Sequence, residues 1–161
     1  MSVLIVIPAR YASTRYPGKP LVALTGATGK KQSLIERSWR AACAVSGVDR
    51  VVVATDDDRI REAAEGFGAE VVMTSETCGN GTERCAEAHA ALGGSFDIVV
   101  NLQGDAPLTP HWFVEGLVQG LKDQPNAEIH PRTALRWRHA QQSSGRPQSG
   151  PRRGYDGGFR G

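Results

Sequence analysis

Short runs of β-branched apolar residues alternate with longer, periodic, mixed segments through most of the chain. Val3 to Pro8 is a continuous apolar run, the pattern of a central strand buried on both faces. After a polar loop, Ala9 to Pro20, and a second loop, Gly26 to Lys31, Ser33 is placed to cap a helix running to Val45. Leu34, Arg37-Ser38, Ala41-Ala42 and Val45 fall at helical spacing, and Gly47 is the stop. Arg50 to Thr55 reads as a second buried strand. One of Asp56, Asp57 and Asp58 caps the next helix, which ends at Gly68. Glu70 to Met73 is a short strand, Thr74 to Gly79 a loop, Thr82 to Leu92 an Ala-rich helix, and Asp97 to Leu102 another buried strand. The turn Gln103 to Pro107 follows, and Thr109-Pro110 opens a helix to about Lys122.

Strands alternating with helices in this way predict βαβ units in an α/β fold of three layers, αβα, around a mostly parallel sheet. Ligands of such sheets bind outside the carboxyl ends of the strands. That rule selects three loops before any motif is considered: Ala9–Pro20, Thr55–Asp58 and Gln103–Pro107.

From Ile129 onward the periodicity stops, and the segment becomes rich in Arg, Gly, Pro, Gln and Ser. The expected organisation is therefore a nucleotide-binding α/β domain over residues 1–128, incomplete as it stands, and a tail over 129–161 that orders no core of its own. The tail has two candidate origins, a native disordered extension or out-of-frame translation of a GC-rich gene. The abruptness of the change, where another strand is due, favours the second.

Charge follows the same boundary. The formal net charge of +2 over 161 residues conceals a tail with seven Arg and one acidic residue, Asp156, beside a body with 12 basic and 16 acidic side chains. The basic character belongs to the tail, so charge does not mark a nucleic-acid binder. No apolar run approaches the roughly 18 residues of a membrane span, and the first residues lack the pattern of a signal peptide. The odd set Cys43, Cys78 and Cys85 lacks metal-ligand spacing, which reads as reduced structural thiols in a cytoplasmic protein.

The first loop places Arg10, Arg15 and Lys19 just past a buried strand. A triphosphate carries about four negative charges, and positioned Arg and Lys are most of what a protein contributes to phosphoryl transfer. Small residues at Ala9, Ala12 and Ser13 let backbone N–H groups approach phosphates. A solvated basic loop has the same composition; its position at a strand's carboxyl end favours the phosphate site. Neither a Walker A run nor a GxGxxG fingerprint is present, which disfavours a dinucleotide oxidoreductase. Asp105, a lone carboxylate in a tight turn after a buried strand, suits a hard cation that keeps several waters; an Asx turn is its other role. Asp56 to Asp58 fit helix capping better than ligand binding. Asn80-Gly81-Thr82 makes a turn and helix cap in any protein, and Arg84 equally suits a surface. His89 receives no chemistry, and Trp39 and Trp112 are expected to pack.

Four segments in order, IPARYASTRYPGKPL (Ile7 to Leu21), VVVATDD (Val51 to Asp57), MTSETCGNGTER (Met73 to Arg84) and VNLQGDAPL (Val100 to Leu108), resemble the 3-deoxy-manno-octulosonate cytidylyltransferases, or CMP-KDO synthetases. The likeness covers the first four-fifths of the chain, roughly the first half of a family member. It implies a Rossmann-like fold of the nucleotide-diphospho-sugar transferase type. It also implies the family's reaction: the anomeric hydroxyl of KDO attacks the α-phosphate of CTP, with Mg2+, giving CMP-KDO for lipopolysaccharide precursors and releasing pyrophosphate. By the same resemblance Arg10, Arg15 and Lys19 hold the triphosphate, and Ala9, Asn80, Gly81, Thr82, Arg84 and Gln103 line the nucleotide pocket. Asp105 would bind Mg2+. The commoner family turn is Gly-Asp-Glu-Pro, and here position 106 is Ala, so a neighbouring carboxylate is lost. The family's later half supplies the sugar site, a second acidic metal ligand and much of a homodimer contact; none is recognisable in this chain. The expected product is therefore a nucleotide-binding half with weak turnover or none. Another sugar nucleotidyltransferase, of the CMP-sialic acid or amino-KDO type, and a binding domain without catalysis are the alternatives.

Overall fold

The computed structural model describes residues 1–13 and 16–123, together with the backbone of 134–135. Four parallel strands form the sheet: β1 (Val3–Ala9), β4 (Arg50–Thr55), β5 (Glu70–Met73) and β6 (Ile98–Asn101). They stand in the order β5-β4-β1-β6, and a short antiparallel β7 (Ala134–Leu135) lies on the outer side of β6. The helices are α1 (Leu34–Cys43), α2 (Asp58–Gly66), α3 (Gly81–Ala91) and α4 (His111–Asp123).

All seven residues of β1 are buried, as its unbroken apolar run requires. Its alternation divides the core in two. Val3, Ile5, Ile7 and Ala9 face Ile35 and Ala42 of α1, Ile60 and Ala64 of α2, and Val114, Val118 and Leu121 of α4. Leu4 and Val6 face the other way, with Val52, Ala54, Val72 and Val99, onto Cys85 and Ala88 of α3. Helices thus cover both faces, giving the expected three layers. Each fully buried Leu, Ile or Val contributes about 2 kcal/mol by removal from water, so this strand and its two faces organise the whole domain.

The predicted strands at 50–55 and 70–73 form with the expected bounds. Ser33 caps α1 by accepting from the Glu36 N–H, and Asp57 caps α2 by accepting from the Arg59 N–H. Asn80 caps α3 by accepting from the Glu83 N–H, while Glu83 in return accepts from the Gly79 N–H.

Several expectations need correction. The second loop, read as Gly26 to Lys31, is the turn of an antiparallel hairpin that the sequence reading did not include, β2 (Ala23–Thr25) and β3 (Lys31–Ser33). Its strands have three residues each and are largely exposed, so no apolar period announced them. Thr109 donates its hydroxyl to the Ala106 carbonyl at 3.0 Å, and α4 begins at His111, after Pro110 rather than with it. Trp39 does pack, against Phe67 with ring centroids 5.3 Å apart. Trp112 is instead 63% exposed, its ring centroid 6.3 Å from that of exposed Phe113. Cys43 is exposed, not structural. Residues 134–135, within the proposed tail, form β7: Val99 and Val100 of β6 register with Leu135 and Ala134. The outer edge of a buried strand carries N–H and C=O groups that need partners, and two residues of any composition can meet them. The remainder of the proposed tail, Trp137 included, lies outside the described residues.

Candidate active site

The chain runs from β1 to its neighbour β4, outward to β5, then back to β6 on the opposite side of β1. The order of strands therefore reverses between β1 and β6, and the loops after those two strands diverge to leave a crevice. A cleft of about 920 Å³ occupies it, with walls that include Pro8 and Ala9 at the end of β1, Arg10 just after it, Lys19 and Pro20 beyond the loop, and Gly104 and Asp105 after β6. The hairpin contributes Leu24, and the start of α3 contributes Asn80, Gly81 and Arg84.

Of the residues singled out in the sequence, the structure brings Ala9, Arg10, Lys19, Asn80, Gly81, Arg84, Gln103 and Asp105 to this one cleft. Thr82 is exposed and lies off the lining, because the first helical turn rotates it away from Gly81. Arg15 lies outside the described residues. The loop Thr55–Asp58, selected by the strand-end rule, also does not line the cleft; its carboxylates serve neighbouring cations instead.

Lys19 Nζ meets Asp105 Oδ2 at 2.6 Å across the cleft, both side chains about half exposed. The cation follows Gly18, whose φ of +70° suits glycine and starts the short 3-10 turn Lys19–Leu21. Asp105 is held from behind. The buried Ser38 hydroxyl of α1 donates to the Gly104 carbonyl at 2.8 Å. A Cβ on Gly104 would approach the Pro8 carbonyl oxygen to 3.0 Å, so the turn after β6 rests directly on the end of β1.

Arg84 is only 3% exposed. Its guanidinium donates to Asp56 Oδ2 at 2.9 Å and to the Thr74 hydroxyl. It therefore ties α3 to the loops after β4 and β5, and presents one edge to the cleft while its charge is already balanced. Gln103 donates to Asn101 Oδ1 at 2.9 Å, which fixes its amide beside the cleft. Cys78, read as a structural thiol, also lines the cleft. Burial raises its pKa, and the Glu87 carboxylate, which accepts the Sγ proton at 3.0 Å, raises it further, so it is no ready nucleophile.

Ser13, noted in the sequence as a small residue of the first loop, lines the cleft as well. Sequence reasoning missed Tyr16, Val22, Leu24 and Ser38. The first three lie within or beside the recognised loops but carry no charge to attract notice. Ser38 looked like one small residue on a helix face; only its contact to Gly104 gives it a role.

Three cations and one carboxylate line the cleft among the described residues, and no group of three or more His, Cys, Asp or Glu capable of holding a metal occurs among them. This donor set does not cage a metal by protein alone. It fits a hard cation bound through one carboxylate and completed by phosphates and water. No helix among the described residues is long and apolar enough to cross a membrane.

The family model described as cytidylyltransferase matches residues 4–148. The 3-deoxy-manno-octulosonate cytidylyltransferase of Maricaulis maris is 54% identical over 129 residues, which is 80% of this chain and 48% of that protein. The mitochondrial protein of the same name from Arabidopsis thaliana is 49% identical over 125 residues, 78% of this chain and 41% of that protein. Among solved structures, CMP:2-keto-3-deoxy-manno-octonic acid synthetase complexed with CTP aligns with a TM-score of 0.73 at 40% identity, over 80% of this chain and 50% of that one. The chain thus spans about half the length of the curated relatives it matches. The four motifs, the cleft at the reversal of strand order and the matched family together establish that this chain belongs to the cytidylyltransferase family.

Proposed function

We propose that the chain is the nucleotide-binding half of an enzyme that couples CTP to the sugar acid KDO, forming CMP-KDO and pyrophosphate for lipopolysaccharide precursors. The observation that carries this reading is the convergence of Arg10, Lys19 and Asp105 on one cleft beside the start of α3. Arg10 and Lys19 would hold the β- and γ-phosphates and offset the charge that grows on the leaving pyrophosphate. Arg15 would join them from the same loop. Ala9, Asn80, Gly81 and Gln103 border the space for the nucleoside, with backbone and amide groups available to a base or ribose. Asp105 would ligate a divalent cation, Mg2+ in this reading, whose charge would offset that of the phosphates. In the coupling step the anomeric hydroxyl oxygen of the sugar acid would bond to the α-phosphorus as the bond to the pyrophosphate oxygen breaks, the hydroxyl proton passing to solvent and the bonding pair leaving with pyrophosphate. A solitary carboxylate, with Ala at 106, leaves this chain better suited to capturing nucleotide than to turnover. A cytoplasmic location and a homodimer of the whole enzyme complete the reading.

Calorimetric titration of the purified chain with CTP, with and without Mg2+ and with ATP and GTP as controls, tests it. The expected result is saturable, Mg2+-dependent binding that prefers CTP and weakens at least tenfold in Lys19→Ala, the scale of a lost charge-assisted phosphate contact. A chain that circular dichroism shows to be folded, yet binds no CTP, would rule the reading out.

A further inference from the structure

Arg10 and Lys19 are eight residues of loop apart, and something must fix the gap between them. The Gly18 N–H donates to the Tyr11 carbonyl at 2.9 Å, which closes the loop at its base. The two cations flank this closure directly, Arg10 just before Tyr11 and Lys19 just after Gly18. The Tyr11 ring lies against Gly18 so closely that a Cβ there would come within 3.0 Å of Cε2. On the ring sits the Arg59 guanidinium, its central carbon 3.3 Å from the ring centroid. Arg59 is itself held by both oxygens of Asp57, Nε to Oδ1 at 2.9 Å and Nη2 to Oδ2 at 2.7 Å. Asp57 is the cap of α2. A continuous line of contacts therefore runs from the first turn of α2 through Arg59 and Tyr11 to the base of the loop. Neither Tyr11 nor Arg59 lines the cleft.

We propose that Tyr11 and Arg59 are positioning residues for the polyphosphate end of the cleft, setting the separation of Arg10 and Lys19 without touching ligand. The proposal rests on the nucleotide-binding reading above. It follows from the geometry because the stack acts on the loop that carries both cations and leaves the walls at Asn80, Gly81 and Gln103 untouched. Its signature is a loss confined to ligands that reach past the α-phosphate.

The test compares CTP with Mg2+ against CMP, by calorimetry on the whole chain, for the native protein and for Arg59→Met, Tyr11→Leu and Tyr11→Phe. Arg59→Met and Tyr11→Leu are expected to weaken CTP binding about tenfold, the scale of a stacked cation converted to affinity, while CMP affinity changes less than about twofold on the same scale. Tyr11→Phe keeps the ring and is expected to restore the CTP affinity lost in Tyr11→Leu. Arg59 is 58% exposed, so Arg59→Met tests the idea even if the leucine variant fails to fold. Equal losses for CTP and CMP, or native CTP binding in Arg59→Met, overturn the positioning role alone. A folded native chain that binds neither nucleotide overturns the functional reading and this role with it.

Discussion

Cys85 shows how strongly a single side chain can feel its layer. It is 1% exposed beneath the face of the sheet that α3 covers, among Leu4, Val6 and Val99, and burial pushes its thiol up to about 12 from an ordinary 9.0. Between those values the unfolded chain has released the proton and the folded chain has kept it. Folding stability supplied by the protonated thiol is complete below the lower value and is lost as pH rises towards the upper one. In urea unfolding at stepped pH above 9, the native chain should lose about 1.4 kcal/mol per pH unit more than Cys85→Ala. Parallel pH profiles for the two proteins would show that the thiol ionises freely in the fold. Position 85 could be read in the sequence as buried, from its place in an Ala-rich helix. Its neighbour Arg84 could not, because a charged residue reads as surface until Asp56 and Thr74, distant in sequence, are seen to enclose it.

At the scale of elements, period carried most of the information. The apolar runs at 3–8, 50–55 and 70–73 and the helix at 34–45 stood out because burial on one or two faces imposes a period that composition preserves. The hairpin at 23–33 did not, because short exposed strands are shaped by turn geometry and edge pairing. The contact between α1 and the turn after β6 was equally hidden. Ser38 Oγ lies 3.2 Å from the Leu34 carbonyl and 2.8 Å from that of Gly104, and the latter contact ties the helix to the residue before Asp105. Ser38→Ala should destabilise the chain by about 1–3 kcal/mol, the cost of stranding a buried carbonyl. Amide exchange at residues 104–106 should quicken beyond that global effect. Exchange that changes only with global stability would mean the turn holds itself. The site was legible to the same degree: its charged members announced themselves at strand ends, and the groups that hold them did not.

For the whole molecule the open question was the outer edge of β6. The sequence pattern leaves another strand due after α4, and β7 covers two residues of that edge. Alternate residues of an antiparallel strand turn their N–H groups towards the partner, so one of Ala134→Pro and Leu135→Pro must delete a donor in that ladder. The variant that does so should scatter more light at equal concentration, as freed edges pair between chains. Unchanged scattering in both would show that this edge is protected by something other than the two-residue strand.

Lys19 and Asp105, 2.6 Å apart across the cleft, have a consequence for what the cleft can sense. Each already has its countercharge. A stray anion finds a lysine that is satisfied, and a stray cation finds a carboxylate that is neutralised, so either alone must displace a partner for little return. A polyphosphate arriving with its cation supplies both replacements in the same event. On the function proposed above, the cleft would therefore favour the metal–nucleotide complex over either of its components alone.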